Sequence, residues 1–361
     1  MNSSLRAREI EMPKPNNEKS FLPEDHPEIE FGKTGIILVN LGTPDGYDYF
    51  SVRKYLNQFL SDKRVIDYPK WKWQPLLQSI ILSKRPFTSG KNYKKIWNHK
   101  LNESPLLTIS RQLTDKVRSH LASEIGSNYL IDFAMRYGNP SVGSVLNGLI
   151  KQGCNRIVFF PLYPQYSATT TATACDSLFD ALKHHNWQPS VRIVEPYFEN
   201  GDYISALAKS IKTKYSELSF EPEVLLTSYH GLPKRYLLEG DPYHCQCQKT
   251  TRLLRDLMGN DFNPIHTTFQ SIFGREIWLQ PYTIDEVKRL AQDGVKNLAI
   301  ICPGFSSDCI ETLEEIQMEV REEFETHGGE NFAYIPALND TDDHSDLIYR
   351  IILENLGGWL S

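Results

Sequence analysis

"NLAIICPGFSSDCIETLEEI", residues 297–316, decides the fold. It opens as an unbroken apolar run of strand length, and a strand apolar on both faces belongs inside a parallel sheet. It then changes period. At about 100° per residue, Ile310, Leu313, Ile316, Val320 and Phe324 share one side of a helix, with Asp308, Glu311, Glu315, Glu319 and Glu322 opposite. A buried strand running straight into an amphipathic helix is a βα unit. Asp308 as N-cap with Glu311 three residues on reads as a capping box, and the remaining acids as a solvated face. Position adds a second reading. Ligands of open α/β sheets sit beyond the carboxyl ends of the strands, where only the first turns of this helix reach. Glu311 and Glu315 are therefore candidates, while Glu319 and Glu322 are expected to face water.

Outward from this unit, "GIILVN" (35–40), "RIVFFPLY" (156–163) and "EVLLTSYH" (223–230) are three further buried strands. Helical periods lie between them. Ile109, Leu113, Val117 and Leu121 recur every four residues up to Gly126, and further helices are predicted over about 201–218 and 284–293. A capping box from Thr283 to Glu286 would open the last of these. The halves look alike: "LVNLGTP" ends the first strand of one and "TSYHGLP" that of the other. The fold class is therefore α/β, two Rossmann-like doubly wound parallel-sheet domains with an inter-domain cleft. The expected boundaries are a disordered lead-in over 1–32, a first domain over 33–215 with an insertion at 45–103, and a second domain over 216–340. Neither half carries G-x-G-x-x-G or a P-loop, which removes the best evidence for a nucleotide enzyme.

Composition narrows the chemistry. The 361 residues are 40% hydrophobic, enough for a substantial core, and the formal charge of -6 argues against nucleic-acid binding. Six cysteines with no apolar leader near Met1 suit a reducing, cytoplasmic setting. No apolar run approaches the roughly 18–20 residues of a membrane span, so any membrane contact is expected to be peripheral. Residues 45–103 stand apart, with twelve Lys or Arg against five Asp or Glu, and eleven aromatics including Trp71, Trp73 and Trp97. They read either as a covering subdomain with an aromatic core or as a lip for a flat, apolar, anionic ligand or a membrane surface.

His230 closes "EVLLTSYH", so imidazole and carboxylates project from strand ends of the same half. A lone histidine there is commonly structural. Together with the acids it forms an N/O set suited to a borderline divalent metal such as Fe²⁺ or Zn²⁺, or to a general base tuned by a neighbouring acid. "YHCQC" (243–247) lacks a second ligand pair at finger-like spacing, which favours structural thiols at Cys245 and Cys247. "FFPLYPQYSATTT" enters a helix through hydroxyl caps, and Tyr163 and Tyr166 are placed to line the cleft.

At these motifs the chain resembles a ferrochelatase, an enzyme that inserts Fe²⁺ into a porphyrin late in haem synthesis. The resemblance covers about 34–355 and rests on "LVNLGTP", "MRYGNPS" (135–141), "FPLYPQYSATTT", "SYHGLP", "TFQSIFGREIWLQPYT" (268–283) and "GFSSDCIETLEEI". It implies that His230 is the active-site histidine and a metal ligand. Glu311 is the implied acid across the macrocycle and a second ligand, with Glu315 one turn deeper. Arg136 and Tyr137 are implied on the opposite wall; Leu41, Tyr163 and Trp278 against the ring; and Gln270, Ser271 and Arg85 among the substrate contacts, the last two at propionates. It further implies a C-terminal helix, about 341–356, returning to the first domain. Cys309 stands where many relatives have His, and Ala168 where animal enzymes have a cluster cysteine. With no Cys after Cys309, no [2Fe-2S] cluster and no tightly bound cofactor are expected; porphyrin and Fe²⁺ are substrates. The alternatives are another tetrapyrrole chelatase, for coproporphyrin or cobalt, and a non-enzymatic two-domain protein holding haem or a metal.

Overall fold

The computed structural model describes residue 25 and residues 31–124, 128–274 and 276–359; the lead-in expected over 1–32 and the helix stop at Gly126 fall largely or wholly outside them. The first half runs β1 (Lys33–Thr43), α1 (Tyr49–Leu60), α2 (Lys70–Leu76), α3 (Leu82–Ile96), α4 (Pro105–Glu124), β2 (Tyr129–Gly138), α5 (Val142–Lys151), β3 (Cys154–Pro161), α6 (Thr173–Leu182) and β4 (Ser190–Ile193). Then α7 (Gly201–Glu217) leads into β5 (Val224–His230), α8 (Lys234–Leu238), α9 (Tyr243–Met258), β6 (Ile265–Gln270), α10 (Thr283–Gln292), β7 (Asn297–Ile301), α11 (Arg321–Thr326), β8 (Asn331–Ile335) and α12 (Asp342–Asn355).

The strands form two all-parallel sheets of four, ordered β2-β1-β3-β4 and β6-β5-β7-β8. The order is the same in both, so the likeness of the halves extends to their topology. Ile36, Ile37, Leu38 and Val39 of β1 are fully buried, as are Leu298, Ala299, Ile300 and Ile301 of β7, because helices cover both faces of each sheet. In each half, moreover, the chain after the second strand folds back on it in the same way. Met135 N–H donates to the Pro140 carbonyl, and Phe269 N–H to the Pro281 carbonyl.

α12 packs against α4 and α7, with Leu347, Ile348 and Ile352 in the large core cluster that also holds first-sheet residues Ile36, Val158 and Phe160. Just beyond it, the Trp359 ring lies 4.0 Å from the Arg192 guanidinium. Among the described residues no helix is long and apolar enough to cross a membrane.

The 45–103 insertion is a helical layer around Val52, Tyr55, Leu56, Leu77, Leu82, Tyr93 and Trp97, so its buried aromatics are core. Its outer side leaves Phe50, Trp71, Ile80 and Phe87 exposed. The reading as a covering subdomain with an aromatic core therefore holds for the buried rings.

Two expected helix starts differ. Thr283 does not cap α10: its hydroxyl bonds to Thr268 and Ser228, while Glu286 turns to His266 and Arg289. The polar chain between strands β5 and β6 outcompetes the local cap. Nor does Asp308 cap the acidic helix. It is buried and accepts from Tyr334, Asn339 and Thr312 side chains, pinning that turn to the end of β8.

Candidate active site

Parallel strands end on one side, and that places the site. His230 is the last residue of β5, opposite Gln270 on β6 in the ladder, while β7, the other neighbour of β5, leads through 302–310 into the acidic helix. His230 Nδ1 lies 2.7 Å from the Gly231 carbonyl oxygen, which fixes the ring. Gly231 is required there: a Cβ would stand 2.7 Å from the Gln270 carbonyl oxygen and 3.1 Å from the Trp278 ring.

The acidic helix is π-helical over Glu311–Val320 and only then becomes α11. A π turn rotates each residue by less than an α turn, so the stripe read at 100° splits. Ile310 packs with the insertion, whereas Leu313, Ile316, Val320 and Phe324 pack on the second sheet. Glu319 and Glu322 are exposed. Glu314, which the period did not single out, is buried and paired with Lys95 on α3 at 2.6 Å.

Glu315 is held by Ser271, whose N–H and Oγ donate to its two oxygens at 2.7 and 2.5 Å. Burial raises its pKa; those two bonds and the neighbouring His230 oppose the rise, and Glu311 adds to it. Gln270, itself buried, donates through Nε2 to the Glu311 carbonyl at 2.7 Å and accepts from Ser228 Oγ at 2.7 Å. The charge of Glu311 is felt by Tyr55, Tyr93 and Arg85 of the insertion, which places this acid where the insertion meets the second half. Desolvation lowers the Arg85 pKa against that attraction, and its guanidinium lies 5.1 Å from the Phe273 ring.

A second group of strand ends belongs to the first half. Gly42 (φ +112°) lets β1 pass the β2 backbone, since a Cβ there would meet the Tyr137 carbonyl oxygen at 1.8 Å. Leu41 beside it packs between the first-half core and the insertion. Arg136 and Tyr137 end β2 and both bind Asp62, at 2.5 and 2.8 Å, with the Thr173 hydroxyl as third donor to that carboxylate. Burial raises the Tyr137 and Tyr163 phenols, keeping both neutral. Buried polar atoms of the described residues without a hydrogen-bond partner include Asn40 Nδ2, Tyr163 Oη and Trp278 Nε1. Buried groups of this kind are ordinarily paired, so they are ready to meet a ligand or water.

The structure therefore gathers His230, Glu311, Glu315, Gln270 and Ser271 at one group of strand ends, and Arg136, Tyr137 and Tyr163 at the other. Asp62 was missed because the side chains it binds are more than seventy positions away in sequence. Cys247 is buried and Cys245 exposed on α9. Among the described residues no group of three or more His, Cys, Asp or Glu is arranged to hold a metal ion.

Among solved structures the chain is similar to SirB from Bacillus subtilis with Fe³⁺, with TM-score 0.54 and 11% identity, covering 91% of this chain and 99% of that one. It is also similar to the sirohydrochlorin chelatase SirB from Bacillus subtilis subspecies spizizenii in complex with cobalt, with TM-score 0.51 and 9% identity, covering 91% and 98%. Identity that low speaks for the fold alone. In sequence, the ferrochelatase of Rhodobacter capsulatus is 57% identical over 339 residues, 94% of this chain and 97% of the relative. That of Allorhizobium ampelinum is 51% identical over 341 residues, covering 94% and 98%. The family profile described as Ferrochelatase matches residues 33–356. A match of that length and relatives of that identity place the chain in the ferrochelatase family.

Proposed function

We propose that the protein is a lyase-class ferrochelatase that inserts Fe²⁺ into protoporphyrin IX to give protohaem and release two protons. The observation that carries this reading is the convergence of His230 with Glu311 and Glu315 at neighbouring strand ends, in a chain of this family.

Metallation exchanges two pyrrole N–H protons for one Fe²⁺ and strips that ion of water. The reaction needs a neutral base, weak N/O donors that release the ion again, and a wall that bends the ring. His230 takes the pyrrole protons and, with Glu311, passes iron to the ring nitrogens. Glu315, whose pKa burial raises, accepts protons from that pair. Leu41, Tyr163 and Trp278 hold the macrocycle distorted, a strain drawn from binding energy spread over the whole ring. Arg136 and Tyr137 line the wall through which metal approaches, and Arg85 pairs with a propionate. No resident cofactor takes part, and no iron-sulfur cluster is assigned.

The protein works in the cytoplasm, with the exposed Trp71, Ile80 and Phe87 and the lysines of α2 and α3 meeting the membrane surface. Anaerobic incubation with Fe²⁺ and either protoporphyrin or coproporphyrin, followed by loss of porphyrin fluorescence, tests the assignment. Catalytic loss with protoporphyrin is expected. No loss with either would overturn the chelatase reading, and loss with coproporphyrin alone would replace the substrate.

A further inference from the structure

The geometry points to Ser271 as the positioning residue of Glu315, a role that rests on the chelatase reading and differs from a propionate contact. Ser271 sits at φ +63°, in the left-handed region that serine seldom occupies. That backbone turns its N–H and its hydroxyl the same way, and both donate to Glu315, one to each oxygen. A carboxylate held at both oxygens by one residue has its plane fixed as well as its place. The hydroxyl hydrogen given to Glu315 is not available to a substrate carboxylate at the same time.

The preceding residue completes the grip. Gln270 donates to the Glu311 carbonyl and lies 3.5 Å from Glu315 Oε2, so the last residue of β6 and the one after it hold the main chain of Glu311 and the carboxyl of Glu315. The groups around Glu315 are then His230 from β5, Gln270 and Ser271 from β6, Cys302 after β7 and Glu311 on its own helix. Two residues beyond Ser271, Phe273 lies against Arg85 of α3. The turn that orients Glu315 is thus also the turn that meets the insertion.

The test uses Ser271→Gly, which keeps the left-handed backbone and its N–H while removing the hydroxyl, with Ser271→Ala as a second variant. For both, kcat is expected to fall about tenfold while porphyrin Kd stays within about twofold, the pattern of a lost transition-state interaction. The double variant S271G/E315Q is expected to turn over no more slowly than E315Q alone, because the hydroxyl acts only through that carboxylate. A raised porphyrin Kd with unchanged kcat, or losses that multiply in the double variant, would overturn the proposal. Melting temperatures of the wild type, S271G, E315Q and S271G/E315Q keep the two hypotheses apart. If the wild type metallates no porphyrin, the chelatase reading fails, and non-additive melting shifts still support the Ser271–Glu315 bond while additive shifts overturn it.

Discussion

Lys95 of α3 and Glu314 of the π-helical segment form an ion pair of 2.6 Å that ties the insertion to the helix bearing both candidate acids. Glu314 is buried and Lys95 is half exposed, so solvent screens only one end. Lys95→Ala leaves the carboxylate buried without its partner and is expected to cost about 1–2 kcal/mol, at the low end for such pairs. Glu314→Gln removes the charge as well and should cost less. Urea unfolding of the two variants checks the order.

His230→Ala is expected to lower iron insertion at least about a hundredfold, the scale on which a general base contributes. Porphyrin binding, followed by tryptophan quenching, should persist because the walls are untouched. Turnover near the wild-type rate would sink the role given to this imidazole.

Glu315→Gln is expected to stabilise the protein at neutral pH while depressing turnover. The sign follows from burial, which raises the folded pKa above that of an ordinary glutamate. A group shifted that way contributes stability that is complete below its unfolded pKa and is lost as pH rises through the folded value. The ionised carboxylate is therefore a cost at neutral pH that the amide does not carry. Melting curves should show the variant ahead at pH 7, with the gap closing as pH falls through the normal carboxylate range.

Asp62→Asn should behave the opposite way. Burial opposes ionisation of Asp62, but hydrogen bonds from Thr173, Arg64 N–H and Tyr137 and the charge of Arg136 outweigh it and lower its pKa. Its contribution is present above the unfolded pKa and lost as pH falls through the folded one. The variant is expected to lose about 2–3 kcal/mol at pH 7, the scale for hydrogen bonds to a charged group, and to approach the wild type in strong acid. Denaturant titrations at the two pH values decide this.

Lys72→Glu with Lys84→Glu should weaken binding to vesicles of anionic lipid and leave binding to neutral vesicles unchanged. Equal sedimentation of variant and wild type with anionic vesicles would remove the insertion from any membrane role.

The four strands legible as apolar runs, β1, β3, β5 and β7, are the interior strands of the two sheets. The four that no run announced, β2, β4, β6 and β8, are the edges. These edge strands mix polar residues into their pattern, as "SVRI" and "IHTTFQ" do, so their period gives no clear signal. The acids of the active end were legible in part. Glu311 and Glu315 followed from the position of a helix after a strand, but the pairing of the buried Glu314 depends on Lys95 of α3, more than two hundred residues earlier. Asp308 misled because a local cap and a long-range anchor need the same side chain, and the anchor to Tyr334 and Asn339 took it.

The shared strand order has one more consequence. Leu41 of β1 and His230 of β5 occupy matching stations on central strands of like sheets, each just before the glycine of "LGTP" and "HGLP", and a π-helical turn follows the third strand of each half, at Ala168–Ala172 and Glu311–Val320. One copy of the scaffold carries the imidazole and the acids; the other carries a leucine and threonines. A doubled architecture thereby carries two different chemistries on one strand order, with titratable side chains at the strand ends of one lobe and an aliphatic side chain and hydroxyls at the same places in its twin.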